Sequence, residues 1–536
     1  MNQKEWKSLF PYSTPRPQQE EAIDKILDTF STKDHFALQA GTGVGKSAIG
    51  LTVARKILEQ KPIEGYEPGV IFVTTQKLLQ DQYEKDFGKI GMKSIKSSSN
   101  YKCKYKKFNT CSTSQTELKT IDKDDRFWKA CTYSCVYKNA KKDFLDSKIS
   151  VTNFPYLLTE ATYHGDIKPR QLIVIDEAHN VETELSKFIE VSVSEKFCKS
   201  TLKLDFPDVK THHQAYTWIK DVYYPKLASH CNHIEKILEK FSGLKGKLEK
   251  FVSLSRQLQM SSSHKKKIDQ FLKVHSKDNW VFDLETSYMR GMKKITFKPI
   301  DVSAFTHQYL TKLGHKVLFM SATLLDCNKF LKGLGIDNKD AGMFSLPSPF
   351  PVKNRPILHV PMGRMTSKEI DKSLPILAKA VSKILEQHKN EKGIIHTHSY
   401  KISNFLKKHV KSDRLLFPTS ENRDEMLKKH IKSKKPTVLV SPSMTEGVDL
   451  AGDSSRFQVL CKIPYPFLGD KLVKKRMNKW NWWYPFQTVK TIIQSIGRSI
   501  RSEEDKAVTY ILDSDWSRFY RNNKHLFPKD FTDCIR

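Results

Sequence analysis

An α/β protein built on parallel sheets is predicted by three observations. Short apolar runs recur along the chain, at Phe36-Ala37-Leu38-Gln39, 68–76, 171–175, 317–320, 393–397 and 437–440. They are continuous rather than alternating, as strands covered on both faces must be. Polar signatures follow several of them directly, at the carboxyl edge where parallel sheets bind ligands.

The first run leads into Ala40-Gly41-Thr42-Gly43-Val44-Gly45-Lys46-Ser47, and residues 48–54 then read as a helix. Glycines at 41, 43 and 45 allow backbone N–H groups to close around phosphates, with Lys46 reaching the β and γ oxygens and Ser47 holding Mg²⁺. The run at 68–76 passes into a helix-like segment, Leu78 to Tyr83. The run at 171–175 ends at Asp176-Glu177-Ala178-His179. An aspartate at that strand end can hold the metal through water, and Glu177 can polarise the attacking water. Val317–Met320 ends at Ser321-Ala322-Thr323-Leu324. Much later comes Gln494-Ser495-Ile496-Gly497-Arg498-Ser499-Ile500-Arg501. On a helix, the i, i+3 spacing of Arg498 and Arg501 puts both guanidinium groups on one face, suited to neutralising charge on a γ-phosphate.

Two segments break the strand–helix rhythm. Residues 96–143 are basic and carry Cys103, Cys111, Cys131 and Cys135. Residues 190–300 carry Ile234, Ile237, Leu238, Phe241, Leu244, Leu248, Phe251, Leu254 and Leu258 at helical spacing. This stripe predicts one long amphipathic helix that serves packing. Ser261-Ser262-Ser263-His264-Lys265-Lys266-Lys267 reads as a solvated turn after it.

A chain of 536 residues is too long for one core and suggests three or four domains. It has 91 Lys and Arg against 59 Asp and Glu, a net charge of +32, which favours a polyanionic partner with salt-dependent binding, although a Lys-rich solubilising surface has the same composition. No apolar run reaches the length of a membrane span and no secretory leader opens the chain, so the expected setting is intracellular: cytoplasmic and nucleoid-associated, or nuclear in a eukaryote. The nine cysteines, odd in number and widely spaced outside the island, do not suggest a disulfide framework.

With these motifs in their observed order, the chain resembles the superfamily 2 iron–sulphur DNA helicases of the XPD/DinG family, over nearly its whole length. Arg16-Pro17-Gln18-Gln19 is similar to the adenine-reading segment, with Gln19 as reader. Asn100-Tyr101-Lys102-Cys103 and Cys135-Val136-Tyr137-Lys138-Asn139-Ala140 resemble the segments around the first and last cluster ligands. Val151-Thr152-Asn153-Phe154-Pro155-Tyr156-Leu157-Leu158 resembles the return into the motor core, and Glu446-Gly447-Val448-Asp449-Leu450 a later motor motif.

The resemblance implies two RecA-like P-loop motor domains, with a small iron–sulphur insertion and a helical arch inserted in the first. The expected division is 1–95, 144–190 and 301–328 for motor domain 1, 96–143 for the iron–sulphur domain, 191–300 for the arch and 329–536 for motor domain 2. ATP and Mg²⁺ would bind between the motors, at Arg16, Gln19, residues 40–47, Asp449 and Gln494, with Arg498 and Arg501 reaching across. Single-stranded and forked DNA would be the partner of a monomeric motor, moving 5′ to 3′.

The four island cysteines, spaced Cys-x7-Cys-x19-Cys-x3-Cys, depart from the gaps common in the family. Four thiolates suit a [4Fe–4S] cluster or zinc. Only Cys131 and Cys135 form the close pair that zinc sites use twice, so the spacing favours iron–sulphur. Around Cys103, residues 101–108 interleave cations with aromatics, which suits either single-strand binding or rings packed on a cluster. By analogy with motor positions facing the strand, Thr74-Thr75-Gln76 and Ser399-Tyr400 are expected at backbone phosphates, while Trp483-Tyr484 is expected to pack.

Two rival readings stay open. One is a DEAH-type RNA helicase, or a translocase that does not unwind, with zinc at the cysteines; the island argues against it. The other is a zinc-bearing nucleic-acid-binding protein with an inactive ATPase. Intact Lys46, Ser47, Asp176, Glu177, Arg498 and Arg501 argue against that.

Overall fold

The computed structural model describes the chain apart from residues 1–2, 42, 106–109, 112–113, 115–117, 119–122, 242–247, 287–290, 420, 445–449 and 451. The apolar runs become strands because each is buried along its length. In the first lobe these are β1 (His35–Ala40), β2 (Glu67–Thr74), β3 (Lys93–Ser94), β4 (Ile149–Asn153) and β5 (Arg170–Asp176). After an inserted three-stranded unit, β6 (Val191–Ser194), β7 (Trp280–Thr286) and β8 (Lys293–Pro299), the lobe resumes with β9 (Gly314–Ser321) and β10 (Ala341–Leu346).

The first sheet runs β10-β1-β9-β5-β2-β4-β3, and all its described pairings are parallel. Alternate side chains feed two cores. Phe36, Leu38, Phe72, Val174 and Met320 face one cluster, while Ala37, Ile71, Ile173, Ile175 and Phe319 face the other. The second core also takes in Cys111, Cys131, Cys135 and Tyr137 from the cysteine island and Trp280 and Phe297 from the inserted sheet. Both insertions therefore rest on one side of the first lobe.

The second lobe is a six-stranded sheet ordered β11-β16-β15-β12-β14-β13, with β11 (Ile357–His359), β12 (Gly393–His396), β13 (Leu415–Leu416), β14 (Val438–Ser441), β15 (Phe457–Leu460) and β16 (Val508–Ile511). Its described pairings are also parallel. Among the described residues no helix is long and apolar enough to cross a membrane.

Four expectations need correction. Strand β10 pairs with β1, His35 opposite Ala341, so the first sheet extends beyond residue 328, to Leu346. The segment 191–300 is not purely helical, because β6, β8 and β7 form an antiparallel sheet within it. The described part of its apolar stripe falls on two helices that pack against each other, Tyr224–Phe241 and Leu248–Val274, rather than on one, and Leu244 lies outside the described residues. Residues 261–267 lie inside the second of these helices and make no turn. Ser261 is buried, and His264 bonds the Tyr223 hydroxyl at 2.9 Å. These polar residues therefore sit on a packed face that their composition conceals.

Candidate nucleotide site and cysteine island

Strand register assembles the nucleotide site. Gln39 of β1 stands opposite Ser321 of β9, and Met320 of β9 stands opposite Asp176 of β5. The phosphate loop, the Ser321–Thr323 turn and the Asp176–Glu177 pair thus leave the same sheet edge side by side.

Gly43 and Gly45 hold φ near 84° and 85°, a left-handed region open to glycine at little cost. Gly45 caps helix Lys46–Leu58, aiming that helix's free N–H groups at the loop. Thr42 and residues 445–449, with Asp449 among them, lie outside the described residues. The Lys46 ammonium donates to the Ala40 carbonyl at 3.2 Å.

Gln19 is buried and clips the loop from behind. Its Oε1 accepts from the Arg16 backbone N–H at 2.9 Å and its Nε2 donates to the Val44 carbonyl at 2.8 Å. The Arg16 guanidinium adds a bond to the Gly43 carbonyl at 2.7 Å. One N–H and one lone pair of the Gln19 amide remain available for a base.

Asp176 is fully enclosed. Burial and the neighbouring Glu177 carboxylate raise its pKa, against the opposing pull of Lys46. The Tyr83 hydroxyl donates to Asp176 Oδ2 at 2.8 Å, and burial followed by the Asp176 charge holds that phenol well above its usual range. Glu177 adopts φ 52°, and its N–H donates to Asp176 Oδ1 at 2.9 Å.

The second lobe reaches this edge through helix Trp483–Ile496. Gln494 Nε2 donates to His179 Nε2 at 2.6 Å and to Thr323 Oγ1 at 3.3 Å. His179 Nδ1 then carries the proton, donating to Ser321 Oγ at 2.7 Å, which also accepts from the Thr323 N–H. Arg498 and Arg501 do not lie on that helix. It ends at Ile496 with Gly497 as cap, so the i, i+3 argument does not apply to them. Arg498 is oriented by its own Nε, which donates to the Gln494 carbonyl at 2.9 Å.

Between the lobes lies a cavity of about 390 Å³ lined by Gly41, Glu177, His179, Thr323, Gln494 and Arg498, among others. Arg501 does not line it. Its backbone N–H is bonded to Asp505.

Sequence reasoning missed Tyr83, Ser348 and Phe350. A Cβ on Gly43 would lie 2.0 Å from the Phe350 ring, and one on Gly41 would lie 3.0 Å from Ser348 Cα. The segment after β10 therefore presses on the phosphate loop. Its Pro-Ser-Pro-Phe-Pro composition (347–351) was the available signal of a rigid, close-packed strap.

In the island, Cys103 and Cys111 flank the Lys102–Thr110 bridge, Cys131 lies in the second half of helix Arg126–Tyr133, and Cys135 is the N-cap of helix Val136–Asp146. None of the four is in a disulfide, and Cys111, Cys131 and Cys135 are buried. Burial, then the nearby Cys135 and Cys103 thiols, push Cys131 up to about 11. Burial and the same two thiols raise Cys111. The thiols are thus close enough to feel one another, and a four-thiol donor set fits a cluster or zinc. Among the described residues, no group of three or more His, Cys, Asp or Glu is in metal-holding geometry. The Tyr101 ring packs edge-on against Tyr137, and Tyr105 against Phe127. Residues 106–109 lie outside the described set. Of the other expected strand contacts, Tyr400 is exposed and Thr74 is buried, its hydroxyl donating to the Gln76 carbonyl. Trp483 is buried, as a packing residue should be.

Residues 12–207 match the family model described as the type III restriction enzyme res subunit, and residues 381–533 match the helicase C-terminal domain. Among solved structures, an XPD helicase matches with a TM-score of 0.64 at 19% identity, over 96% of this chain and 99% of that one. Xpd4 of S. tokodaii matches at 0.60 and 15% identity, over 97% and 99% of the two chains. The chain has the fold of the XPD helicases. A further XPD structure, in its apo form, matches at 0.58 and 18% identity, over 95% and 98%. Among curated proteins none matches. Each lobe of this fold thus carries a family-model match, the second of them to a helicase domain.

Proposed function

We propose that this XPD-like helicase moves 5′ to 3′ on single-stranded DNA and unwinds forked duplexes, driven by ATP hydrolysis between its lobes. The supporting observation is the inter-lobe cavity, in which Gly41 of the phosphate loop and Glu177 of one lobe face Gln494 and Arg498 of the other. Lys46 leaves the Ala40 carbonyl for the β and γ oxygens. Ser47, with Asp176 through water, would hold Mg²⁺, which supplies charge neutralisation at the phosphates. Glu177 polarises a water that attacks the γ-phosphorus. The bond to the β-phosphate oxygen breaks, releasing ADP and phosphate, while Arg498, and Arg501 once the lobes close, offset the developing charge. His179 and Gln494 link that event to lobe movement.

The four cysteines are the ligand set for a [4Fe–4S] cluster in this reading. A cluster would supply structural rigidity, and no redox step is assigned to it. DNA as substrate is supported by the island and by the excess of basic residues, and the polarity rests on the family resemblance.

The test is unwinding of 5′-tailed against 3′-tailed forked DNA, and against RNA of the same sequence, with iron and labile sulphide measured in anaerobically purified protein. ATP-dependent unwinding of the 5′-tailed DNA alone, by brown, iron-bearing protein, is expected. Unwinding confined to RNA, or iron-free protein of full activity, overturns the reading.

A further inference from the structure

One ion pair, its arginine buried and its glutamate partly exposed, crosses between the lobes just beyond the Asp176–His179 motif. Arg476, on helix Lys471–Lys479 of the second lobe, is 6% exposed. Its guanidinium meets Glu182 at 2.9 Å and donates to the carbonyls of Ile300 at 2.9 Å and Pro299 at 3.4 Å. Glu182 lies in the first turn of helix Val181–Ile189, just beyond His179. Pro299 and Ile300 lie where β8 of the inserted unit ends. Two flanking pairs join the same surfaces, Lys479 with Asp301 at 2.9 Å and Lys471 with Asp283 at 3.3 Å. The second lobe is therefore tied at one point to the helix following the Asp176–His179 motif and to the inserted unit.

The element beneath this tie leads back to the nucleotide. The Arg476 guanidinium lies over the Trp483 ring at 5.7 Å. Trp483 opens the 14-residue helix whose far end carries Gln494. That helix is about 20 Å long, a rigid rod with the nucleotide cleft at one end and the Arg476 cluster at the other. A buried pair contributes little net stability relative to apolar packing. It is directional, however, and losing one partner leaves the other charge uncompensated. Such a contact suits a catch that holds one geometry and releases it as a whole.

We propose that Arg476 is a positioning residue that transmits nucleotide-driven movement of the second lobe to the inserted unit, so that ATP hydrolysis is coupled to strand separation. The proposal rests on the helicase reading above. It predicts a split that loss of fold would not produce. Arg476→Ala and Glu182→Ala keep strand-stimulated ATP hydrolysis within about threefold, while unwinding per ATP falls by about 5- to 150-fold, the ordinary range of coupling between sites. The double variant is no worse than either single one, and Arg476→Lys keeps part of the coupling.

Hydrogen exchange of residues 293–302 in the nucleotide-free full chain provides an arm independent of any activity. Faster exchange there in Arg476→Ala is expected, with a smaller change in the same direction for Lys479→Ala, a milder surface change should Arg476→Ala fold poorly. Wild-type unwinding per ATP in Arg476→Ala, or unchanged exchange in that segment, overturns the proposal. A wild-type chain with no strand-stimulated hydrolysis would sink the helicase reading instead, leaving the exchange arm to decide whether the tie holds the inserted unit.

Discussion

The nucleotide cleft and the cysteine island each gather residues far apart in sequence, but by different means. In the cleft, register between β1, β9 and β5 fixes where Lys46, Ser321 and Asp176 stand, and backbone hydrogen bonds of a parallel sheet supply the rigidity. Among its described residues the island has one isolated bridge and the short helices Arg126–Tyr133 and Val136–Asp146, and burial with neighbouring thiols raises the pKa values of Cys111 and Cys131. A site on a sheet edge is complete before its ligand arrives. Four converging thiols become favourable as thiolates only when a cation joins them. The cleft should therefore fail by losing chemistry, and the island by losing structure.

The largest expected effect is at the cleft. Lys46→Ala removes the cation that follows the transferring phosphoryl group, and strand-stimulated hydrolysis should fall by about 10²–10³-fold or more, the loss typical of removing one preorganised electrostatic partner. DNA binding, measured by fluorescence anisotropy, should hardly change. Near-normal turnover would mean that the loop at 40–47 is not the phosphate cradle. Cys131→Ser sharpens the other side of the comparison. Iron should be lost, limited proteolysis should open the segment around residues 101–135, and unwinding should vanish while some ATP hydrolysis survives. A variant that unwinds at the full rate without iron would remove the island from the mechanism.

How much of each region could be read in the sequence follows from the same contrast. Strands β1, β2, β5, β9, β12 and β14 were legible because burial on both faces leaves continuous apolar runs, and the chemistry begins where those runs stop. Partners supplied by packing were not. Tyr83 reaches Asp176 from a helix after β2, because β2 lies beside β5 in the sheet, an adjacency that no local pattern encodes. Phe350 reaches Gly43 from a linker three hundred residues downstream in the chain, roughly the length of a whole domain. Arg498 was legible as a residue but not as a conformation, since Gly497 ends the helix one position too early for the spacing argument. His264 misled because its ring is taken up by a tertiary partner, the Tyr223 hydroxyl, and Ser261 because it is buried without a hydrogen-bond partner, which composition does not announce.

An intermediate effect is expected at the seam. Gln494→Ala leaves His179 Nε2 and Thr323 Oγ1 without their shared donor. A buried polar group left unpaired costs about 1–3 kcal/mol, so strand stimulation of hydrolysis should fall by roughly tenfold. Basal ATP affinity, measured by equilibrium binding of a fluorescent analogue, should change less than twofold, because Gln494 bonds protein groups on the far side of the seam. A proportional loss of both would place Gln494 in nucleotide binding and not in lobe coupling.

The smallest effect separates the inserted unit from the sheets by acid. Burial, reinforced by the Lys267 charge, lowers the His264 pKa to about 4, while an unfolded chain binds that proton near 6.5. Below pH 6.5 the unfolded state takes up more protons than the folded one, so the stability contributed by a neutral His264 is full above pH 6.5 and is lost as pH falls toward 4. The loss at pH 5 is about 2 kcal/mol. His264→Gln keeps a donor for Tyr223 and has no proton to gain, so its melting temperature should fall less between pH 7 and pH 5 than that of the unaltered chain. Hydrogen exchange should assign the difference to helix Leu248–Val274, with β1, β5 and β9 unaffected. Equal acid sensitivity in the two chains would mean that His264 is solvated.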